Sequence, residues 1–197
     1  MITVKANNTA GGPYTVTAST ASGSVTTAPG GFSLTNKPAT VQVTVGTKPS
    51  GLSFSVDGKT YTSAQMLTWI IGSQHTIGTT TPQTMRGTPG TLYIFPIWSD
   101  GGANSHIVTA SLSATTYTAT FNVYYELTMA VSPSGSGIAT PALGGYLLAG
   151  TAVDVEAFPK SGYKFKSWTG NVASATKAST TITMTAPETI RANFTKK

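Results

Sequence analysis

Apolar and polar residues alternate in short runs along most of this chain. ATVQVTV at 39–45 puts Val41, Val43 and Val45 on one side of an extended backbone, the period of two expected of a strand with one buried face. Residues 66–71 do the same with Leu67, Trp69 and Ile71, and residues 91–98 carry Tyr93, Phe95 and Trp98. Further strands are predicted at 2–6, 14–19, 31–35, 52–56, 59–62, 75–78, 106–111, 116–121, 126–131, 138–140, 163–168, 181–185 and 189–194. Asp57-Gly58 between two such runs is a hairpin signal, because both positions of that turn need a positive φ. Asn, Gly, Pro and Ser clusters punctuate the remainder. No stretch sustains a helical period. The pattern predicts an all-β protein.

Two stretches repeat each other. Residues 90–121 read GTLYIFPIWSDGGANSHIVTASLSATTYTATF, and residues 161–194 read SGYKFKSWTGNVASATKASTTITMTAPETIRANF. Each has an aromatic strand, a Trp, a Gly turn, a Thr-rich strand and an ending on Phe. Tyr93, Phe95 and Trp98 correspond to Tyr163, Phe165 and Trp168. GSQHTI at 72–77 is echoed by GTAVDV at 150–155, which sets His75 opposite Val153. Duplicated short units imply tandem small β-sandwich-like modules in an extended array. The expected division is 1–40, 41–123 and 124–197, with residues 122–125 too few for a flexible linker. Residues 1–40 hold little to bury, so they are expected to pack on a neighbour or belong to something longer.

Composition refines this picture. Gly and Pro are frequent, and there are 6 acids against 12 lysines and arginines, giving a formal charge of +6 in 197 residues. A basic balance can signal nucleic acid. Here Lys5, Lys37, Lys48, Lys59 and Arg86 are scattered singly, and Lys164 and Lys166 alternate with inward aromatics, so no nucleic-acid partner is expected. The lack of cysteine removes disulfides and thiolate chemistry. No basic-then-apolar leader opens the chain, and no apolar run is long enough to span a bilayer, so no membrane insertion is expected.

A family resemblance enters on particular residues. LTMAVSPSGSGIATP, then GGYLLAGTAVDVEAFPKSGYKFKSWTGN, then TTITMTAPETIRANF, together covering 127–194, resemble the divergent internalin-type B-repeat of bacterial surface and secreted proteins. FSVDGKTY, TWIIGSQHTI, FPIWSDGGANSHIVTA and TYTATF, within 41–121, are similar to a related surface-repeat module, with an insertion near 80–89. ANNTAGGPYTVTAS and GFSLTN, within 1–36, resemble the last strands of a bacterial Ig-like repeat. The resemblance implies a surface-exposed β array serving as a stalk or adhesive module. It implies no catalytic residue and no cofactor.

Candidate chemistry is sparse. Trp98 and Trp168 are expected to plug their sandwiches; the alternative is a platform for stacking a ligand. His75 and His106 are expected to be structural, since a zinc site needs three or four converging ligands. Asp57 and Asp100 fit turns better than a calcium loop, which wants several carboxylates. Asp154 and Glu156 share a strand parity but lack an expected cleft. Lys5 or Lys164 could join an Asn in an amide bond only if buried beside an acid. Catalytic, cofactor and metal residues are therefore expected to be none. The leading function is a structural spacer of a bacterial extracellular or cell-surface protein, with neighbouring β domains or other copies as partners. One alternative is a module binding carbohydrate or a cell-wall polymer, marked by an exposed row among Tyr61, Tyr93, Tyr124 and Tyr146. The other is a fibre subunit joined by strand addition through the N-terminal strands.

Overall fold

The computed structural model describes residues 11–14, 34–36, 38–142 and 145–197. The strands expected at 2–6, most of 14–19 and the start of 31–35 lie outside these residues, as does Lys5. What is described near the start is an antiparallel pair, β1 (Gly11–Tyr14) with β2 (Leu34–Asn36). All other described regular structure is also β.

The first sandwich opposes two sheets. One contains β3 (Thr40–Lys48), β6 (Gln65–Ile70), β8 (Thr91–Trp98) and the first half of β10 (Thr115–Ser132). The other runs in the order β5 (Lys59–Tyr61), β4 (Phe54–Val56), β7 (Gln74–Thr79), β9 (Ser105–Thr109). The second sandwich sets β12 (Gly145–Leu148), β14 (Tyr163–Thr169), β16 (Glu188–Lys196) and the second half of β10 against a sheet of β11 (Gly137–Thr140), β13 (Ala152–Pro159) and β15 (Ser179–Thr183).

The two halves share a topology strand for strand. β10 pairs in parallel with β3, Thr115 opposite Val43. β16 pairs in parallel with β10, Glu188 opposite Leu127. The aromatic strands β8 and β14 lie antiparallel to the closing strands, with Trp98 opposite Ala119 and Trp168 opposite Ala192. Turn bonds repeat too: Gly72 N–H donates to the Ala110 carbonyl at 2.9 Å and Gly150 N–H to the Met184 carbonyl at 2.8 Å. The correspondence of Tyr93, Phe95 and Trp98 with Tyr163, Phe165 and Trp168 is thus a correspondence of place.

Each half buries its own cluster. Val43, Val45, Leu52, Phe54, Ile77, Trp98 and Phe121 belong to the first, and Leu127, Val155, Trp168, Ile182, Ile190 and Phe194 to the second. Both tryptophans are buried, at 1% and 3% exposure, which decides for plug over platform. Phe95 lies 6.2 Å from Trp98 and 5.7 Å from Phe121; Phe165 lies 5.8 Å from Trp168 and 6.1 Å from Phe194. These tilted and edge contacts suit the charge distribution of aromatic rings.

Residues 122–125, read from sequence as a short join between strands, are themselves strand. β10 runs unbroken for 18 residues, about 60 Å at strand rise. Its first half closes one sandwich and its second half opens the next. The alternation is continuous because Phe121 and Val123 face the first core while Tyr125 and Leu127 face the second. The junction is clasped beside the strand as well. Glu126 N–H donates to the Gly90 carbonyl at 2.8 Å, and a Cβ on Gly90 would sit 2.9 Å from Pro187 of the other half.

The first sandwich also carries two covers that the second lacks. β5 pairs along the outer edge of β4. Residues 80–89, the expected insertion, lie along β8: Gln83 and Tyr93 exchange two backbone bonds of 2.8 Å. Gln83 further clamps Ser53 through both ends of its amide, at 2.7 and 2.9 Å.

Candidate functional site

The densest polar constellation surrounds His75. Asp57 takes a positive φ of 50° in the β4–β5 turn, as a tight hairpin requires. That turn aims its carboxylate at β7. His75 Nδ1 lies 2.7 Å from one Asp57 oxygen, and Thr76 N–H donates to the other at 2.8 Å. His75 Nε2 lies 2.8 Å from Ser73 Oγ, and the imidazole stacks on Trp69 at 3.9 Å and 9°.

Ser, His and Asp in this order are the parts of a nucleophilic relay, but the hydrogen bonds run the wrong way. A relay needs the serine hydroxyl to donate to a bare imidazole nitrogen. Ser73 Oγ instead donates to the Ile70 carbonyl at 2.6 Å. A hydroxyl has one proton, so Nε2 donates to Ser73 and Nδ1 donates to Asp57. The chain of bonds fastens the β4–β5 turn to the β6–β7 turn. It holds no activated nucleophile.

A second clasp repeats the logic at the opposite strand end. His106 Nε2 donates to Asp100 and Nδ1 to the Ala103 carbonyl, both at 2.8 Å. The ring thus bridges the Asp100 turn and the Ala103 backbone. His106 meets Trp98 edge-on at 6.1 Å. A methyl group on Gly102 would clash with the His106 imidazole. The Tyr117 hydroxyl is pushed up by burial and by the charge of Asp100.

Burial tends to raise both aspartates, but the other contributions outweigh it. For Asp57 these are the His75 hydrogen bond, the Thr76 N–H and the charge on His75; for Asp100, the His106 bond and charge with the Gly102 N–H. Both carboxyls end below the ordinary 3.8. A depressed carboxylate adds stability that is present above the unfolded value and lost as pH falls through the folded one. The second sandwich has Val153 and Thr180 at the corresponding places. Acid should therefore weaken the first sandwich below about pH 4 more than the second. Trp69 and Trp98 emission followed from pH 6 to pH 2 reports this, and Asp57→Asn with Asp100→Asn should flatten the curve. An unchanged curve would remove the clasps as its cause.

The other sequence candidates separate. Asp154 and Glu156 are exposed on the outer face of β13. Tyr93 is buried, Tyr61 stacks on Phe54 at 5.6 Å, and Tyr124 and Tyr146 lie outward on β10 and β12. The four tyrosines form no row. Lys164 is exposed, so it lacks the burial an amide cross-link needs. Among the described residues no three His, Asp or Glu converge as metal ligands, and no helix is long and apolar enough to cross a membrane. Sequence reasoning placed His75 on a half-buried strand but missed its link to Asp57 and Ser73. The only available signal was the hairpin Asp, since the contact spans 18 residues.

The divergent InlB B-repeat family model matches residues 127–197. No curated protein matches the chain. Among solved structures, the major pilin protein T-13 of Streptococcus pyogenes serotype GAS131465 is similar at 7% identity and a TM-score of 0.29, covering 80% of this chain and 97% of that one. The matched family segment begins within β10, in the strand both sandwiches share.

Proposed function

We propose that this chain is a rigid, non-catalytic spacer in a bacterial extracellular or cell-surface repeat protein, spacing or presenting neighbouring domains. Its units are a β segment at 1–40, a module at 41–123 and a B-repeat-like module at 124–197. The two separate apolar clusters support the last division, and the family match at 127–197 supports the surface setting. Its partners are neighbouring β domains or other copies of the chain.

The observation that carries this reading is the shared strand. A flexible linker lets domains reorient freely. Here any bend at 122–125 must break the ladder bonds of β10 with β8 and β12. The absence of native cysteine makes site-specific spin labelling direct. Labels at Leu112→Cys and Lys177→Cys should give one narrow distance distribution. Inserting Gly-Ser-Gly-Ser between Val123 and Tyr124 should broaden it while each sandwich stays folded. A broad distribution in the parent chain would defeat the spacer reading.

A further inference from the structure

We propose that the outer face of β14 and β16 is a binding surface for a linear acidic polysaccharide. The polymer's setting at a cell surface rests on the function proposed above; the binding surface itself rests on charge placement. Seven of the chain's twelve lysines and arginines lie in 160–197. Lys164, Lys166 and Arg191 are exposed and share one sheet face, since Lys164 pairs with Thr195 and Thr169 with Arg191. The irregularity between Phe165 and Ser167 places Lys166 between them. The three charges thus form a row of about 15 Å at strand rise.

Among the described residues no acid forms an ion pair with this row. The ion pairs among the described residues are the two His–Asp clasps of the first sandwich. The acids of the second sandwich are Glu126, Asp154, Glu156 and Glu188. Glu126 is exposed on the same outer face but lies four residues along β10 from Ala130, the partner of Arg191, about 13 Å at strand rise, and its carboxylate sits by Gly90 at the junction. Asp154 and Glu156 lie on the outer face of the opposing sheet, beyond a core about 10 Å thick. Glu188 shares the inward parity of Ile190 and accepts from Asn171 at 3.1 Å. The module is therefore polarised, with a concentrated positive potential on one face.

Nor does the repeat architecture require these charges. Ile94 and Thr118 of the first sandwich hold the places of Lys164 and Arg191. Lysine on an open edge strand does deter pairing with other strands, and β14 lacks the cover that residues 80–89 give β8. That role accounts for Lys164 and Lys166 but leaves Arg191, which lies on β16 inside the sheet. The surrounding groups select the ligand class. Thr169, Asn193 and Thr195 line the row and offer hydrogen bonds to sugar hydroxyls. No aromatic ring stands among them to stack a nucleobase, as single-stranded nucleic acid binding favours.

Anisotropy of a labelled polygalacturonate oligomer tests this on the full chain. Binding should be saturable at about 0.05 M salt and weaken steeply as salt rises. Lys164→Gln, Lys166→Gln and Arg191→Gln together should weaken it at least about tenfold and shallow the salt slope. Lys48→Gln, Lys59→Gln and Arg86→Gln remove the same net charge from the first sandwich and should change it less than about threefold. Equal losses in both triple variants, absence of saturable binding, or equally tight binding of single-stranded DNA of matched charge would each overturn the proposal. The spin-label distance distribution should be the same in both triple variants, so the spacer reading stands or falls separately.

Discussion

Trp168→Ala should cost about 3–5 kcal/mol and unfold the second sandwich well before the first. The indole is buried with Phe165 beside it, and its Nε1–H donates to the Lys177 carbonyl at 3.0 Å. Truncation removes a large apolar surface, opens a cavity and leaves that carbonyl without its donor. A cluster this small has little margin, since whole domains are stable by only about 5–15 kcal/mol. The first sandwich keeps its own cluster, including Trp69 and Trp98. Those two rings are the only tryptophans left in the variant. Thermal unfolding followed by β-sheet circular dichroism should show an early loss, while tryptophan emission holds its original midpoint. A single transition at the parental temperature would contradict the assignment of Trp168 as the plug.

The strands were legible because alternation survives almost everywhere a core exists. Val41, Val43 and Val45 all face inward, as do Leu67 and Trp69. The repeat was legible because Trp, Phe and the turn glycines occupy places that the fold cannot fill otherwise. Less was legible where partners are distant in sequence. The strand β10 is continuous, yet its two halves were read as separate, because its inward residues change core midway without a break in parity. The clasps escaped for a related reason. Asp57 and Asp100 were read as turn residues, which they are, and the same turns also deliver their carboxylates to histidines on neighbouring strands. The basic face was half visible. Lys164 and Lys166 were placed on a wet strand face, but Arg191 joins them only through the pairing of β14 with β16.

The open edges of the second sandwich bear on how such modules remain apart. β11 is uncovered where β4 is covered, and its backbone is accessible to another strand. The Lys160 N–H bond to the Ser136 carbonyl sets the ladder phase, which turns the polar groups of Gly137 and Ala139 away from β13. The strand is only four residues long and is followed by Pro141. A short edge ended by proline offers few bonds to an incoming strand. On β14, lysines serve the same end. Where the first sandwich spends added chain on covers, the second uses brevity, proline and charge.

Gly137→Ala should destabilise the second sandwich by roughly 3 kcal/mol, more than a surface alanine could explain. The position is not a positive-φ glycine, so backbone strain is not the reason. Space is. A Cβ there would sit 2.5 and 2.8 Å from ring atoms of Phe194 and 2.6 Å from the Phe158 carbonyl oxygen. The ring is buried against Phe165 and cannot swing freely. The carbonyl belongs to β13, whose pairing with β11 fixes it. In the first sandwich the place of neighbouring Ala139 belongs to Phe54, which pairs with Thr79 as Ala139 pairs with Ala157. The second sandwich thus puts small residues on this strand and lets the Phe194 ring fill the space. Phe194→Leu alone should also destabilise, through a cavity. Combined with Gly137→Ala it should cost less than the sum of the two, because the smaller side chain vacates part of the clash. Urea unfolding of the two single variants and the double variant measures this coupling. Strict additivity would show that Gly137 is held by something other than the ring above it.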